Sequence, residues 1–260
     1  MREVSHVATG LVAVDPELIV TPRVETWLAG HDELALSDER DVELLRRLLG
    51  PRQGLTPGVF RGSLAGQCAR RQVLGFLNAD AKPNSDPVLQ NLFVDGTWRH
   101  ARWQLLLSKC IPGVELEVGV RADEIRLGGS IDAVQIDERW GFEFKGISSL
   151  PPADAARLPF DAHLLQAGRY WLATDHDPRF PLPLTRWVFV YEDKQTQEWR
   201  EVVVTRSLAI DALVADELRR LNETIDNEQL PDVQPECEAR SGSQFETCPF
   251  SSHCTKPDTC

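Results

Sequence analysis

Residues 128–148 read GGSIDAVQIDERWGFEFKGIS, two short apolar-rich runs on either side of a polar stretch from Asp137 to Arg139. That pattern predicts a β-hairpin. Side chains alternate faces along a strand, so Glu143 and Lys145 point the same way. A two-residue turn at Asp137-Glu138 sets Asp132 opposite Glu143, and one at Glu138-Arg139 sets it opposite Lys145. Either register gathers Asp132, Glu143 and Lys145 on one face. The apolar neighbours Ile131, Val134, Phe142 and Phe144 mark the hairpin as central rather than exposed. Two carboxylates on adjacent strands make a hard-oxygen site for Mg2+ or Mn2+, and a nearby ammonium can orient a water for attack on a phosphodiester. On a solvated face the same three residues would only be a cross-strand ion pair. The apolar flanks favour the chemical use.

The rest of the chain supplies helices around such a sheet. Periodicity predicts helices over Ser37–Leu49, with Ser37 as N-cap and Gly50-Pro51 as the stop, and over Cys68–Leu77. Residues 78–87 read as a loop, and 88–110 as a long helix or a broken pair. Within it His100, Trp103, Leu107 and Cys110 share one face. Strands are expected at 114–122, 185–191 and 200–205, and helices at 162–174 and 208–227. The first thirty residues show no clear period. A chain of 260 residues suits one large α/β domain or two small ones. The division expected is a helical extension over 1–60 and a main domain over 61–260.

No run of eighteen apolar residues is present, so no membrane span is expected. The start lacks a secretory pattern, which makes the cytoplasm the expected address. A net charge of −12 argues against coating nucleic acid through a broad positive surface. Two local basic patches remain, Arg70 with Arg71, and Arg99, Arg102 and Lys109 around His100. Disulfides are rare in the cytoplasm, so six cysteines there point to metal or to chemistry. Four of them, Cys237, Cys248, Cys254 and Cys260, crowd the last 24 residues.

Asp132 followed by GFEFK at 141–145 resembles the D…ExK signature of the PD-(D/E)xK nuclease superfamily. GTWRH at 96–100 resembles the GxxxH motif of its RecB-like branch, and QAGRY at 166–170 resembles the QxxxY motif. The elements occur in the family's order. The resemblance implies a central mixed sheet flanked by helices and a metal-dependent DNA exonuclease, acting on single strands in recombination, phage replication or CRISPR spacer acquisition. It implies that His100, Asp132, Glu143 and the main-chain carbonyl of Phe144 hold Mg2+ or Mn2+. Lys145 would position the hydrolytic water, with Gln166 and Tyr170 completing the catalytic set. Arg70, Arg71, Arg99 and Arg102 are the expected DNA-binding cations.

A subset of this family, including CRISPR-associated exonucleases and the AddB nuclease domain, carries a 4Fe-4S cluster on one cysteine before the core and three after it. Cys68, in a CARR context, is similar to the first. Cys248 and Cys254 match the last pair, whereas Phe245 stands where the family's remaining cysteine belongs. Cys237 is the expected substitute and Cys260 the alternate. The cluster would join the N- and C-terminal segments. The competing expectation is a Zn2+ site from Cys237, Cys248, Cys254 and Cys260. Cys110 is expected in the core. Two other functions stay open: a weakly catalytic or non-catalytic DNA-binding assembly subunit, and a restriction-type endonuclease. No GxxxxGK[ST] motif is present, so unwinding would come from a helicase, recombination or CRISPR adaptation partner.

Overall fold

The computed structural model describes residues 11–31, 34, 39–50, 57–81, 86–151, 158–240 and 243–255. The hairpin of β4 (Leu127–Gln135) and β5 (Trp140–Ile147) lies inside the sheet. Around it stand β3 (Glu115–Ala122), β6 (Arg186–Asp193), β7 (Trp199–Thr205) and two short strands, β1 (Val14–Asp15) and β2 (Phe60–Arg61). The order is β1-β7-β6-β5-β4-β2, with β3 also paired to β4. β5–β6 and β2–β4 are parallel and the other pairs antiparallel, so the sheet is mixed.

The hairpin register pairs Ala133 with Phe142, Val134 with Gly141 and Gln135 with Trp140. Arg139 N donates to Ile136 O at 3.1 Å, so the turn is centred on Asp137-Glu138. Arg139 closes it in the left-handed region at φ 60°. The alternative turn at Glu138-Arg139 is thereby excluded, and Asp132 falls opposite Glu143 one step beyond the last pair.

Both faces of the sheet are covered, and the strands show it as continuous apolar runs. Along β6, Trp187, Phe189 and Tyr191 pack on one side with α5 (Asp161–Asp175) and α6 (Leu208–Asp226). Val188 and Val190 pack on the other with α1 (Thr21–Ala29) and α4 (Pro87–Cys110). α2 (Glu39–Leu49) rests against α4, and α3 (Ala69–Phe76) against β2 and α6. The sequence left 88–110 as one helix or two. It is one helix of 24 residues, opened by Asp86, whose carboxylate accepts from Val88 N at 2.8 Å, and by Pro87 at the first position. The expected cap Ser37 lies outside the described residues.

Residues 11–30 had no legible period, yet β1 pairs with β7 and α1 joins the α4 face. Glu201, buried on β7, accepts from Ile19 N at 2.6 Å, Val20 N at 3.1 Å and Thr21 N at 2.6 Å. A carboxylate there satisfies free N–H groups and complements the helix dipole. The cap stands some 180 residues from the helix it starts, so no local pattern announces it. The tail forms three short helices, α7 (Pro235–Glu238), α8 (Ser243–Thr247) and α9 (Ser251–Thr255). No helix among the described residues is long and apolar enough to cross a membrane.

Candidate functional site

The β4–β5 ladder stops at Ala133 and Phe142, and the polar cluster begins there. Phe144 N donates to Asp132 Oδ2 at 2.9 Å. Glu143 and Lys145 project from β5 on the α5 side, while Phe142 and Phe144 enter the apolar core on the α4 side. Lys145 Nζ donates to Glu143 Oε1 at 2.8 Å and to Gln166 Oε1, on α5, at 2.9 Å. From α4, on the opposite side of the sheet, His100 Nδ1 comes within 3.1 Å of Asp132 Oδ2. From one face α4 thus reaches Asp132 directly, and from the other α5 reaches Glu143 through Lys145.

Tyr170 lies one turn beyond Gln166 on α5 and is 2 % exposed. Its ring approaches β4 and the turn after β2 so closely that a Cβ at Gly62 would lie 2.4 Å from Cε1, and one at Gly129 2.8 Å from the same atom. Only glycine leaves room for the phenol at those two points.

Asp132 and Glu143, both nearly sealed from solvent, are driven apart in acidity. Burial alone would raise Asp132, but the His100 charge, the Phe144 N–H and the Lys145 ammonium outweigh it and hold the carboxyl below its ordinary value. Glu143 is pushed up by burial and then by the Asp132 charge, which Lys145 only partly offsets. Burial would lower His100, yet Asp132 keeps it above its usual value. Tyr170 is raised well above its ordinary value by burial, then by Glu143 and Asp132. Two like charges this close are costly, and a divalent cation between them would relieve that cost.

The donor set fits such an ion on a second count. Glu143 Oε2 and His100 Nδ1 are buried atoms without a hydrogen-bond partner. The 3.1 Å approach of His100 to Asp132 is therefore an ion-pair distance without good hydrogen-bond alignment. Two ligands at about 2.1 Å and a right angle on one octahedral cation stand about 3 Å apart. Among the described residues no group of three or more His, Cys, Asp or Glu side chains is already disposed to hold a metal ion. In this arrangement the Lys145 ammonium engages Glu143 Oε1.

Two acidic residues escaped the sequence reading. Glu117 falls opposite Asp132 in the β3–β4 register, with its backbone in the left-handed region at φ 50°. It accepts from Ser130 Oγ at 2.8 Å and from Gln104 Nε2 at 2.9 Å, and Gln104 also donates to Asp132 O at 3.0 Å. A non-glycine residue in that region beside a polar cluster marks a constrained site. Its one sequence signal was an acid within an alternating strand. The second, Glu192, is fully buried on β6. It accepts from Arg99 Nη1 at 2.6 Å, from Arg102 Nη2 and from Trp103 Nε1 at 2.8 Å. It anchors the stretch of α4 that carries His100.

Of the four arginines expected at DNA, three are engaged within the protein. Arg70 is 5 % exposed and donates to Pro231 O at 2.9 Å and His253 O at 3.2 Å. Arg99 and Arg102 are drawn to Glu192, and Arg99 also to Asp95 and Lys194 O. Arg71 alone of the four meets no carboxylate or carbonyl among the described residues.

Those Arg70 bonds clasp α3 to the tail, helped by His253 Nε2 on Asp80 O at 2.8 Å and by Phe250, 5 % exposed, against Gly75. Across the clasp, Cys68, Cys248 and Cys254 come near enough to act electrostatically on Cys237. Burial first, then the charges of Cys254, Cys68 and Cys248, push Cys237 up to about 11. Cys254 is likewise raised by burial, against the lowering charge of Arg70. Cys68 sits at the N-cap position of α3. Cysteine sulfurs are the usual ligands of iron–sulfur and zinc groups, so this donor set fits a metal group by its chemistry. Cys260 lies outside the described residues. Cys110 is apart from the set, packed at the α4 face with its thiol pushed by burial to about 11.

No family model matches the chain, and no curated protein matches it. Among solved structures, the crystal structure of SSO0001 is similar with a TM-score of 0.49 at 16% identity, covering 87% of this chain and 98% of that one.

Proposed function

We propose that this chain is a metal-dependent DNA exonuclease of the RecB-like PD-(D/E)xK kind, acting on single strands. The observation that carries the reading is the convergence of Asp132, Glu143, Lys145, His100 and Gln166 where β4 and β5 part. His100, Asp132, Glu143 and the carbonyl of Phe144 would hold Mg2+ or Mn2+. Such an ion supplies Lewis acidity at a phosphoryl oxygen and neutralises charge that builds there. Lys145, braced between Glu143 and Gln166, offers a third N–H to a water lined up on the phosphorus. Tyr170, kept protonated by burial and the nearby carboxylates, is a donor rather than a base. Glu192 fixes α4, and with it the approach of His100.

Cys68, Cys237, Cys248 and Cys254 would hold a 4Fe-4S cluster as a staple between α3 and the tail, with Zn2+ as the competing occupant. Single strands would come from a separate helicase, recombination or CRISPR adaptation partner.

The test is digestion of linear and circular single-stranded DNA with Mg2+ or Mn2+ by the wild-type chain and by Asp132→Ala. Linear DNA should be shortened from its ends, circular DNA should survive, and the variant should be inert at an unchanged melting temperature. Cutting of the circle would replace the exonuclease with an endonuclease. Equal activity in Asp132→Ala would end the assignment of the site.

A further inference from the structure

β2 and α3 meet beside Tyr170, and a single buried guanidinium measures how close they come. Arg169, fully buried, donates from Nη1 to Arg61 O at 2.7 Å and from Nη2 to the Gln72 side chain at 2.6 Å. One planar fork therefore spans the backbone of Arg61 and the neighbour of Arg71. On the β2 side, Gly62 touches the Tyr170 ring. The nearby acid is already engaged: Glu217 pairs with Arg169 at 2.9 Å and accepts from Gly66 N and Gln72 Nε2.

Arg61 and Arg71 are both half-buried, and neither has a carboxylate partner among the described residues. In a chain with 40 acidic and 28 basic residues, two arginines on adjoining elements that meet no carboxylate among the described residues stand out. Burial, then the charge of Arg71, hold Arg61 below its ordinary value. Like charges on adjoining elements gain from an anion between them, and guanidinium forks match the oxygens of a phosphodiester.

We propose that Arg61 and Arg71 form an anion subsite that grips a backbone phosphate of a single DNA strand beside Tyr170. The subsite deepens the nuclease reading and rests on it for the identity of the ligand. It would fix the strand's register at the carboxylates, so its loss weakens binding rather than the chemical step.

The experiment measures binding of a fluorescein-labelled, 5′-hydroxyl oligonucleotide by anisotropy across salt concentrations, in the full chain bearing Asp132→Asn to prevent cleavage. Each phosphate contact contributes about 0.7 to the slope of log affinity against log salt on a single strand. Adding Arg61→Gln and Arg71→Gln should lower the slope by about 0.7 to 1.4 and weaken binding at low salt. Adding Arg61→Lys and Arg71→Lys instead should keep most of the slope. The control Arg219→Gln, on an exposed guanidinium paired with Asp216 and Glu223, should change nothing.

An unchanged slope in the double glutamine variant overturns the subsite, as does an equal loss in Arg219→Gln or a parent that binds no single strand. If millimolar inorganic phosphate displaces the oligonucleotide from the parent alone, the site holds free phosphate and the proposal is wrong. If the wild type cleaves nothing and the slope still falls, the nuclease reading fails while the subsite stands.

Discussion

The carboxylate cluster and the cysteine cluster are built from similar numbers of reactive groups but held by different kinds of structure. Asp132, Glu143 and Lys145 stand on central strands whose neighbours are sealed in two apolar layers, and Glu192 ties the helix of His100 to the same sheet. Cys237 and Cys254 stand on helices of four and five residues, with Cys248 between them. Helices that short do not persist alone in water. They are fastened by Arg70, His253 and the Phe250 side chain. The core thus organises the first site by itself, whereas a metal group proposed at the second would contribute to the order of its own surroundings. Three measurements probe that difference.

The largest effect belongs to the rigid site. Lys145→Ala should lower turnover about 10²- to 10⁴-fold, the range of a positioned proton-transfer or water-orienting group. Mn2+ titrated by calorimetry should still bind, because an ammonium is not a ligand. Loss of Mn2+ binding with turnover kept would reverse the roles of the residues.

Next comes the staple. Prepared without air, the protein should be brown. Cys68→Ser, Cys237→Ser, Cys248→Ser and Cys254→Ser should each bleach it. A cluster joining Cys68 to Cys237 would close a long loop, and loss of such a clip costs about 2–5 kcal/mol, as for a disulfide. For a chain of this size that is on the order of 10 °C in melting temperature. Hydrogen exchange should locate the loss in α3 and α7–α9, with β4–β6 protected as before. Cys110→Ser should do neither, and Cys260→Ser should matter little. A colourless wild type with one zinc and no iron would exchange the cluster for zinc. If β4–β6 lost protection as well, the two regions would not be independent.

Acid should give the smallest effect, and in the opposite region. His163, bonded through Nδ1 to Tyr191 Oη at 2.9 Å, is pushed down to about 3 by burial and then by Lys145. The unfolded residue titrates near about 6.5, so the unfolded chain takes the proton first. Stability present above that value should drain as the pH falls towards the folded value. His163→Phe removes this drain, so its melting temperature should fall a few degrees less than that of the wild type between about pH 7 and about pH 4. Parallel decline of both proteins would assign the acid sensitivity elsewhere.

Alternation and helical period were enough to place β3 to β7 and α2 to α6 within a few residues, because each carries its own apolar pattern. They also put Asp132, Glu143 and Lys145 on one face, since the side-chain period of a strand is fixed whatever surrounds it. The rest is long-range. The register opposing Asp132 to Glu143 depended on one turn, and the start of α1 on Glu201 across the sheet. Arg70, Arg99 and Arg102 read as surface cations until Glu192 and the tail carbonyls stood beside them. Glu117 and Arg61 gained their surroundings only when β3 and β2 came to lie along β4. Local pattern determines which face a residue occupies. Which charge it meets there is decided by elements distant in sequence, through packing that no local pattern encodes.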